Sequence, residues 1–394
     1  MKKLRAAGLS GMVFLFLAIE FLDELVYGGR EAAWPLIRDD LGLSYSQIGL
    51  AISLPYLAGM LIEPFLGILG DVWRRRALIL GGGVAFTLAL FWLSQGQAYL
   101  SFLLASCLLG PASGAFVSLS QASLMDVQPH RHEQNMARWT FAGSAGVTAG
   151  PLALGAAIAL GWGWRGLFLV FAGVSLAALL LTWRMLSPTA PETKDDEPRL
   201  SFVEGARNAL RALKRGEVVR WLVLLEFSDL MLDVLYGYLA LYLVDVGRLP
   251  PETAALGVAV WTGVGLLGDF LLIPLLEWVP GLAYLRVSVV LELILFPAFL
   301  LVEPLAIKFV LLGLLGFFNS GWYSVLMGHL YSAMPGQSAT VMTVGNLFGW
   351  VGKLIPLGVG LAAQQWGLEA AMWILLAGPV ALLVGLPRGR LARA

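Results

Sequence analysis

The chain has 394 residues, of which 58% are hydrophobic and 13% charged, and its mean hydropathy is +0.79. A soluble chain carries roughly 25% charged residues, so this composition excludes a water-soluble globular protein and indicates that lipid surrounds most of the chain. The 26 basic and 26 acidic residues cancel, which gives no reason to expect nucleic acid as a partner. Cys107 is the single cysteine, so an intrachain disulfide is excluded.

A membrane-spanning helix needs about 20 mostly apolar residues. Such runs, and the proline and glycine residues that end them, predict an all-α membrane protein with twelve transmembrane helices. The basic N-terminus resembles a signal peptide, but its apolar run continues to Ile37 without a cleavage site, so it is predicted to be helix 1. The predicted helices cover residues 9–37, 47–69, 77–95, 99–125, 137–160, 166–186, 219–246, 253–276, 283–302, 306–332, 339–363 and 368–387.

The basic residues predict how these helices are oriented, because Lys and Arg concentrate on the cytoplasmic side of a membrane. With a cytoplasmic N-terminus, most of the 26 basic residues fall in cytoplasmic segments, whereas Arg38, Arg165 and Arg248 fall on the opposite side. We therefore predict a multi-pass protein of the cell (inner) membrane with both termini in the cytoplasm.

One long polar stretch interrupts the apolar pattern between helices 6 and 7. It opens with an acidic run at 194–197 and then becomes basic and helix-compatible, which is typical of an amphipathic segment on the membrane surface. It predicts three regions: an N-terminal six-helix bundle (1–186), a cytoplasmic linker (187–218) and a C-terminal six-helix bundle (219–394).

The two predicted bundles repeat each other's sequence. A shift of 206 residues carries Glu20 to Glu226 and Asp23 to Asp229. The same shift matches further residues from helix 2 to helix 5: Glu63 with Asp269, Asp71 with Glu277, Pro129 with Pro335, Met136 with Met342, Gly143 with Gly349, and Gly146 with Gly352. Duplicated six-helix halves, related by an axis along the membrane normal, are a transporter architecture.

The turn between helices 2 and 3, residues 67–76, reads GILGDVWRRR. It resembles the signature loop of the major facilitator superfamily, roughly G-x-L-a-D-r-x-G-R-[RK], with Val72 and Arg74 as departures. The matching residues are Gly67, Leu69, Asp71, Arg75 and Arg76. The resemblance implies the fold of that family, two pseudo-symmetric six-helix bundles, and a gate latch formed by Asp71 and the arginines.

Helix 5 contains a second family-like run, GVTAGPLALG at 146–155. It is similar to the family's antiporter motif, G-x-x-x-G-P-x-x-G, although the last glycine comes one residue late. Physically, glycines four residues apart let two helices approach closely, and Pro151 permits a kink. Helix 4 lacks the arginine that many proton antiporters of the family carry, so the run predicts close packing at least as well as antiport.

Helices 1 and 7 carry charged residues at helical spacing. A charge in the hydrocarbon region costs several kcal/mol unless it faces protein or water, and residues at these spacings share one helix face. The family resemblance implies that both helices line the central substrate cavity. The candidate residues are Glu20, Asp23, Glu24, Tyr27, Arg30 and Glu31 on helix 1, and Glu226, Asp229, Asp233 and Tyr236 on helix 7.

Carboxylates crowded in such a path are expected to exchange protons near neutral pH. They also attract cations, and coupling arises where a proton and a cation compete for the same carboxylate. The alternative is that the acids form structural salt bridges with Arg30, Lys353 and one another. Arg30 and Lys353 have no charged counterpart in the repeat.

Helices 10 and 11 add further polar residues to the predicted cavity, which are Asn319, Tyr323, Asn346, Trp350 and Lys353. Lys353 is expected near the depth of Asp23, where it either neutralises an acid or binds an anionic group of the substrate. Glu63 and Asp269, which match in the repeat, are predicted to act in gating.

Together these patterns predict a secondary active transporter, and the chain has no H-E-x-x-H, G-x-S-x-G or phosphate-binding motif that would favour an enzyme or an ATP-driven pump. We favour proton-coupled export, by antiport, of a cationic or amphipathic compound such as a drug. The alternatives are a carrier for an anionic or zwitterionic metabolite held by Lys353, and a divalent-metal exporter using carboxylates with His329. The expected partners are the lipid bilayer, a small solute and protons, and the expected state is a monomer without a cofactor.

Overall fold

The computed structural model of the chain describes residues 2–72, 75–127, 132–186, 211–334, 344–345 and 348–387. Within these ranges the side chains of residues 2–10, 63–64, 67–72, 126–127, 132–134 and 136–137 are not described. Every regular element in the described ranges is helical, which confirms the predicted all-α fold class.

Twelve helices, α1 to α12, follow one another along the described chain, and five of them consist of two or three segments. They are α1 (Lys2–Leu41), α2 (Tyr45–Val72), α3 (Arg75–Gln95), α4 (Tyr99–Ser113, Gly114–Ser118, Leu119–Val127), α5 (His132–Ala159), α6 (Gly163–Met185), α7 (Gly216–Ser228, Leu230–Val234, Leu235–Asp245), α8 (Pro251–Leu275), α9 (Gly281–Leu301), α10 (Leu305–Asn319, Trp322–Ala333), α11 (348–352, Ile355–Trp366) and α12 (Leu368–Met372, Trp373–Leu376, Ala377–Gly385). We call α1–α6 the N-terminal half and α7–α12 the C-terminal half.

Most helix bounds agree with the predicted ones to within a few residues. Helix α1 extends beyond its prediction at both ends and continues through Pro35. Helix α7 begins at Gly216, inside the predicted linker, while residues 187–210 of that linker lie outside the described residues. The linker therefore stays a prediction.

Nine helices in the described part of the chain are long and apolar enough to cross a membrane. The other three are α1 and α7, which carry the acidic residues of the predicted cavity, and α11, which is described only in part. Large apolar side chains stay exposed along the helices, including Phe14 (74%) and Val384 (79%). Soluble proteins rarely expose apolar surface on this scale, whereas helices that contact lipid must do so.

The chain divides into two compact units. The first holds Met1–Thr193 together with Leu249–Ala259, and the second holds Lys194–Arg248 and Val260–Ala394. The start of α8, which the sequence assigns to the C-terminal bundle, therefore groups with the first unit.

Glycines let α5 pack tightly along α1 in the N-terminal half. A Cβ atom added to Gly146 would lie 2.9 Å from Leu25 N, and one added to Gly150 would lie 2.6 Å from the carbonyl carbon of Gly28. By contrast, a Cβ atom on Gly155 would meet nothing within 4 Å. The first two glycines of the antiporter-like run thus serve the close helix contact, as small residues four apart do in membranes.

Two helices contain π-helical segments that the sequence periodicity did not predict. In α4 the segment Gly114–Ser118 follows Pro111, and in α7 the segment Leu230–Val234 follows directly after Asp229. A π-segment inserts one residue into the helical register, and such segments occur often at functional sites. The α7 segment therefore shifts Asp233 and Tyr236 relative to the regular 3.6-residue face assumed for the predicted stripe.

Helix α10 is broken, whereas the sequence predicted one continuous helix over 306–332. Gly321 has φ +75°, in the left-handed region that glycine adopts without strain. Backbone groups at the break find new partners: Asp269 Oδ1 accepts a hydrogen bond from Gly321 N at 3.1 Å, and Tyr284 donates to Ser320 O at 3.0 Å. Helices α8 and α9 thereby satisfy polar groups that the break exposes, as a membrane interior requires.

Helix α11 is also interrupted, at Lys353 and Leu354. Pro356 is the second residue of the next segment; it has no backbone N–H, and its ring is incompatible with a regular preceding turn. Tyr238 of α7 donates a hydrogen bond to Pro356 O at 2.7 Å. The interruption places Lys353 at a junction between two helical segments.

Candidate functional site

Three carboxylates of the N-terminal half occupy the middle of α1. Glu20 is 8% exposed, and Asp23 and Glu24 are half-buried. Ser113 of α4 donates a hydrogen bond to Asp23 Oδ2 at 2.9 Å. Ser113 is the last residue before the π-segment of α4, so the irregular backbone of α4 begins beside an acid of α1.

Helix α5 approaches these acids through glycine. A Cβ atom added to Gly143 would lie 2.7 Å from Glu20 Oε1 and 3.4 Å from Glu24 Cγ. With a side chain at position 143, the Glu20 carboxylate would have to shift from its present position. The glycines of α5 thus serve both the helix packing and the acidic set, which we define as Glu20, Asp23 and Glu24.

Further along α1, Arg30 and Glu31 form a buried ion pair. Arg30 Nη2 lies 2.8 Å from Glu31 Oε1, and Trp34 Nε1 donates to Glu31 Oε2 at 2.8 Å. Arg30 also lies over the ring of Tyr27, 5.6 Å from its centroid. Arg30 is 7% and Glu31 1% exposed, so this pair has the geometry of the structural salt bridge that was the alternative interpretation.

In the C-terminal half, the structure brings Asp229, Asp233 and Lys353 together. Lys353 Nζ lies 3.8 Å from Asp229 Oδ2 and 3.4 Å from Asp233 Oδ2. Their side chains are roughly one quarter to one half exposed, at 26% for Lys353 and Asp229 and 47% for Asp233. The cation therefore bridges two acids of α7 at positions that water can still reach.

Glu226 lies one turn before this cluster and repeats the contact with glycine. A Cβ atom added to Gly352 of α11 would collide with the Glu226 carboxylate. Gly352 matches Gly146 in the 206-residue repeat, and a Cβ atom on Gly146 would meet the α1 backbone and lie 2.9 Å from Glu24 Cβ. Both halves thus keep a glycine of the fifth helix against a glutamate of the first.

The remaining predicted cavity residues have varied surroundings. Asn319 Nδ2 donates to Met231 O at 3.1 Å, while Asn319 Oδ1 has no hydrogen-bond partner among the described residues. Tyr236 is buried and packs on Trp261, with ring centroids 5.5 Å apart. Tyr323 and Trp350 are exposed. Asn346 lies outside the described residues.

Of the predicted gating residues, Asp269 has a clear structural partner, because it receives the Gly321 N–H at the α10 break. Arg76 Nη2 donates to Trp183 O at 3.1 Å, within its own half. Arg75 begins α3. The side chains of Glu63 and Asp71 lie outside the described residues, so the latch and the gating roles stay predictions.

Sequence reasoning missed the backbone features of the site. The Met231 carbonyl, which belongs to the π-segment of α7, binds Asn319, and the α11 interruption holds Lys353. Pro356 was the available signal for the second feature. For the divalent-metal alternative, no group of three or more His, Cys, Asp or Glu side chains in the described ranges is arranged to hold an ion.

Comparisons with known proteins agree with this architecture. Residues 16–357 match the family model described as Major Facilitator Superfamily. The chain is 30% identical over 156 residues to the Multidrug resistance protein MdtG of Yersinia enterocolitica, covering 38% of this chain and 37% of that protein. It is 28% identical over 150 residues to the Transcription regulatory protein OpdE of Pseudomonas aeruginosa, covering 38% and 37%. These matches span little more than a third of each relative.

Solved structures share the fold over almost the whole chain. A bacterial homologue of the human lysosomal transporter Spinster, in an inward-facing and unoccupied conformation, has a TM-score of 0.74 at 17% identity and covers 98% of this chain and 96% of its own. The nucleoside transporter NupG has a TM-score of 0.79 at 14% identity and covers 95% and 98%. Together with the family match over most of the chain, the twelve-helix architecture identifies the chain as a multi-pass membrane transporter that belongs to the Major Facilitator Superfamily.

Proposed function

We propose that this protein is a proton-coupled exporter, an antiporter of the inner membrane that moves a cationic or amphipathic compound such as a drug by alternating access. The observation that carries the proposal is a pair of acidic sets, Glu20, Asp23 and Glu24 on α1 and Glu226, Asp229 and Asp233 on α7. The 206-residue repeat relates Glu20 to Glu226 and Asp23 to Asp229, and each set contacts a glycine of the fifth helix of its half. Maintaining carboxylates twice within spanning helices is costly unless they have a function.

The proposed coupling is a competition at these carboxylates. A carboxylate that holds a proton is neutral and attracts a cation weakly, whereas an ionised one attracts it strongly because water is scarce around it. Arrival of a cationic compound therefore favours release of the proton, and arrival of a proton favours release of the compound. The site opens to the two sides of the membrane in turn. The proton and the compound therefore exchange at the carboxylates, and each drives the other across in the opposite direction.

The acids of the C-terminal half have an internal cation for this exchange. Lys353 lies within 4 Å of both Asp229 and Asp233, so its charge occupies the place of a cation when no substrate is present. A cationic substrate has to displace Lys353 or bind beside it. Partial exposure of all three side chains supports an exchange that needs access from water.

The relatives named Multidrug resistance protein support the export of drug-like compounds. Tyr236, three residues after Asp233 on α7, packs on Trp261, and aromatic rings of this kind bind cations through their faces.

Reconstituted vesicles test the proposal. Purified protein is placed in proteoliposomes, and the movement of ethidium, an aromatic cation, is followed after a pH gradient is imposed. We expect the gradient to drive ethidium movement in the wild type. Asp23→Asn and Asp229→Asn should each remove the response to the gradient, a loss of roughly 5–150-fold if the coupling free energy is of ordinary size.

Two variants on the same helices serve as controls. Asp39→Asn changes an exposed acid at the end of α1, and Glu217→Gln changes an exposed acid at the start of α7. Both should keep the full response. Ethidium movement that ignores the gradient, or full coupling in Asp23→Asn and Asp229→Asn, would contradict the proposal.

The second candidate is a proton-coupled carrier for an anionic or zwitterionic metabolite, which is favoured by the single cation in the acidic cluster of the C-terminal half. In that function Lys353 leaves Asp229 and Asp233 to bind the anionic group. Lys353→Ala should then abolish binding while Asp23→Asn leaves it measurable. For the exporter we expect the reverse, with Asp23→Asn losing binding and Lys353→Ala keeping it. Thermal-shift screens of the two variants against cations and anions therefore distinguish the candidates.

A further inference from the structure

Glu292, in the middle of α9, is the most unusual buried group outside the acidic sets. Its side chain is 0% exposed, and neither carboxylate oxygen has a hydrogen-bond partner among the described residues. An ionised carboxylate in such surroundings costs many kcal/mol, and proteins normally pair a buried charge or neutralise it. Among the described residues, no Lys or Arg forms an ion pair with Glu292, as the neighbouring elements show.

The elements packed against α9 are the two segments of α10 and the second and third segments of α12. In α10, Lys308 donates to Phe299 O at 2.9 Å, and His329 stacks on Trp221 with ring centroids 4.8 Å apart. The tyrosines of α10, Tyr323 and Tyr331, are exposed. The two contacting segments of α12 carry no ionisable residue.

On α9 itself the other ionisable residues are Tyr284 and Arg286. Tyr284 donates to Ser320 O, and Arg286 donates to Pro387 O. Among the described residues, therefore, no cation has its charged group committed to Glu292.

The repeat shows that packing does not require an acid at this position. A shift of 206 residues matches Glu292 with Phe86 and Trp322 with Phe116. In the N-terminal half Phe86 and Phe116 are both buried, with ring centroids 6.0 Å apart. An apolar side chain fills the equivalent place in the other half, so the acid of α9 needs a different explanation.

The face of α9 that carries Glu292 also holds the break of α10. Tyr284 and Ser288 lie two turns and one turn before Glu292. Tyr284 binds Ser320 O at 3.0 Å, and Ser288 Oγ accepts a hydrogen bond from Trp322 Nε1 at 2.9 Å. Spaced four residues apart, the three side chains share one stripe along α9. A charge on Glu292 would therefore appear beside the contacts that seat the break.

We propose that Glu292 is a proton-binding site, separate from the acidic sets of α1 and α7, whose occupancy controls the seating of the α10 break on α9. With the proton bound, the neutral carboxylic acid can stay buried and the break remains seated. When the O–H bond breaks, the proton passes to water, and the carboxylate left behind requires solvent, which reaches it only if α10 moves away from α9. This site does not depend on which solute the protein carries.

Infrared spectroscopy of the purified full chain tests the protonation state. We expect the carbonyl stretching band of a protonated carboxylic acid in the wild type, persisting from neutral to moderately alkaline buffer. Glu292→Gln should remove this band, and Glu292→Asp should keep it at a shifted frequency. If Glu292→Gln does not fold, the Glu292→Asp shift decides alone. If the carbonyl region of the infrared spectrum is unchanged in whichever of these variants folds, the proposed site is wrong.

Hydrogen exchange tests the link to α10, because the Gly321 N–H is protected at the break. After correction for the intrinsic effect of pH, exchange in the peptide around Ser320–Trp322 should rise several-fold in alkaline buffer for the wild type and not for Glu292→Asn or Glu292→Gln. Ser288→Ala, which removes the Trp322 contact and the hydrogen bond of Ser288 to Leu285 O within α9, should raise exchange at neutral pH and leave the infrared band in place. Equal pH dependence in the wild type and Glu292→Gln would overturn the control of the break.

Discussion

The two halves hold two matched acids, Glu20 with Glu226 and Asp23 with Asp229, on different kinds of backbone. In the N-terminal half, α1 and α5 run without interruption past Glu20, Asp23 and the glycines that face them. In the C-terminal half, α7 changes to a π-segment directly after Asp229, and α11 is interrupted at Lys353. The fourth helix of each half is irregular at the same position of the repeat. Gly114, which begins the π-segment of α4, matches Ser320, which lies at the break of α10. The repeat therefore preserves the acids and one irregular helix, and differs at the helices around the charges.

The two halves also differ in the charge next to their matched acids. Lys353 matches Val147 in the repeat, so the cation that bridges two acids of α7 has an apolar counterpart on α5. A regular helix fixes its side chains rigidly, whereas an interrupted helix has weaker backbone hydrogen bonding and adjusts more readily. The comparison indicates a rigid acidic set in the N-terminal half and an adjustable, internally balanced one in the C-terminal half.

The largest effect is expected from giving the N-terminal half its missing cation. In Val147→Lys, an ammonium at the α5 position that matches Lys353 would compete with a cationic substrate, and repulsion between charges about 4 Å apart is worth roughly 1–4 kcal/mol. We expect gradient-driven ethidium movement to fall at least about tenfold. Val147→Met, which has a similar length and no charge, should retain most of the activity; equal loss in both variants would show that size, and not charge, matters.

A smaller effect on stability should separate the two glycine contacts. Gly146→Ala places a Cβ atom against the backbone of α1, which cannot yield easily, so we expect a loss of about 1–3 kcal/mol. Gly352→Ala meets the end of the Glu226 side chain, which can rotate away, so its loss should be smaller. Unfolding of the purified variants in denaturant provides the comparison.

Two neighbouring glycines are matched controls for these substitutions. Gly155 on α5 and Gly358 on α11 have nothing within 4 Å of an added Cβ atom. Gly155→Ala and Gly358→Ala should be neutral, or stabilising by up to about 1 kcal/mol through helix propensity. A Gly352→Ala loss as large as that of Gly146→Ala would contradict the difference in rigidity between the halves.

The smallest effect concerns the ion pair between Lys353 and Asp233. Because both side chains are partly exposed, their coupling should contribute no more than about 1 kcal/mol to stability. A double-mutant cycle of Lys353→Met and Asp233→Asn, measured by denaturant unfolding, gives this coupling directly. A coupling of several kcal/mol would indicate a buried structural pair and weaken the case for an exchangeable cation.

Hydropathy and residue spacing predict the number of helices, most of their bounds and the acids of α1 and α7, because these depend on local composition. They do not predict the hydrogen-bonding register, which depends on neighbouring helices. The α10 break at Gly321, for instance, relies on Asp269 and Tyr284 from two other helices. Spacing likewise put Arg30 on the acidic face, while its partner turned out to be the adjacent Glu31.

The competition between proton and cation is the central claim, and proton release on binding measures it most directly. Ethidium is added to the detergent-solubilised protein in weakly buffered solution with a pH-sensitive dye. We expect the wild type to release protons in proportion to the ethidium bound, and the double variant Asp23→Asn, Asp229→Asn to release none. Saturable ethidium binding to the wild type with no proton release across neutral pH would contradict the coupling mechanism.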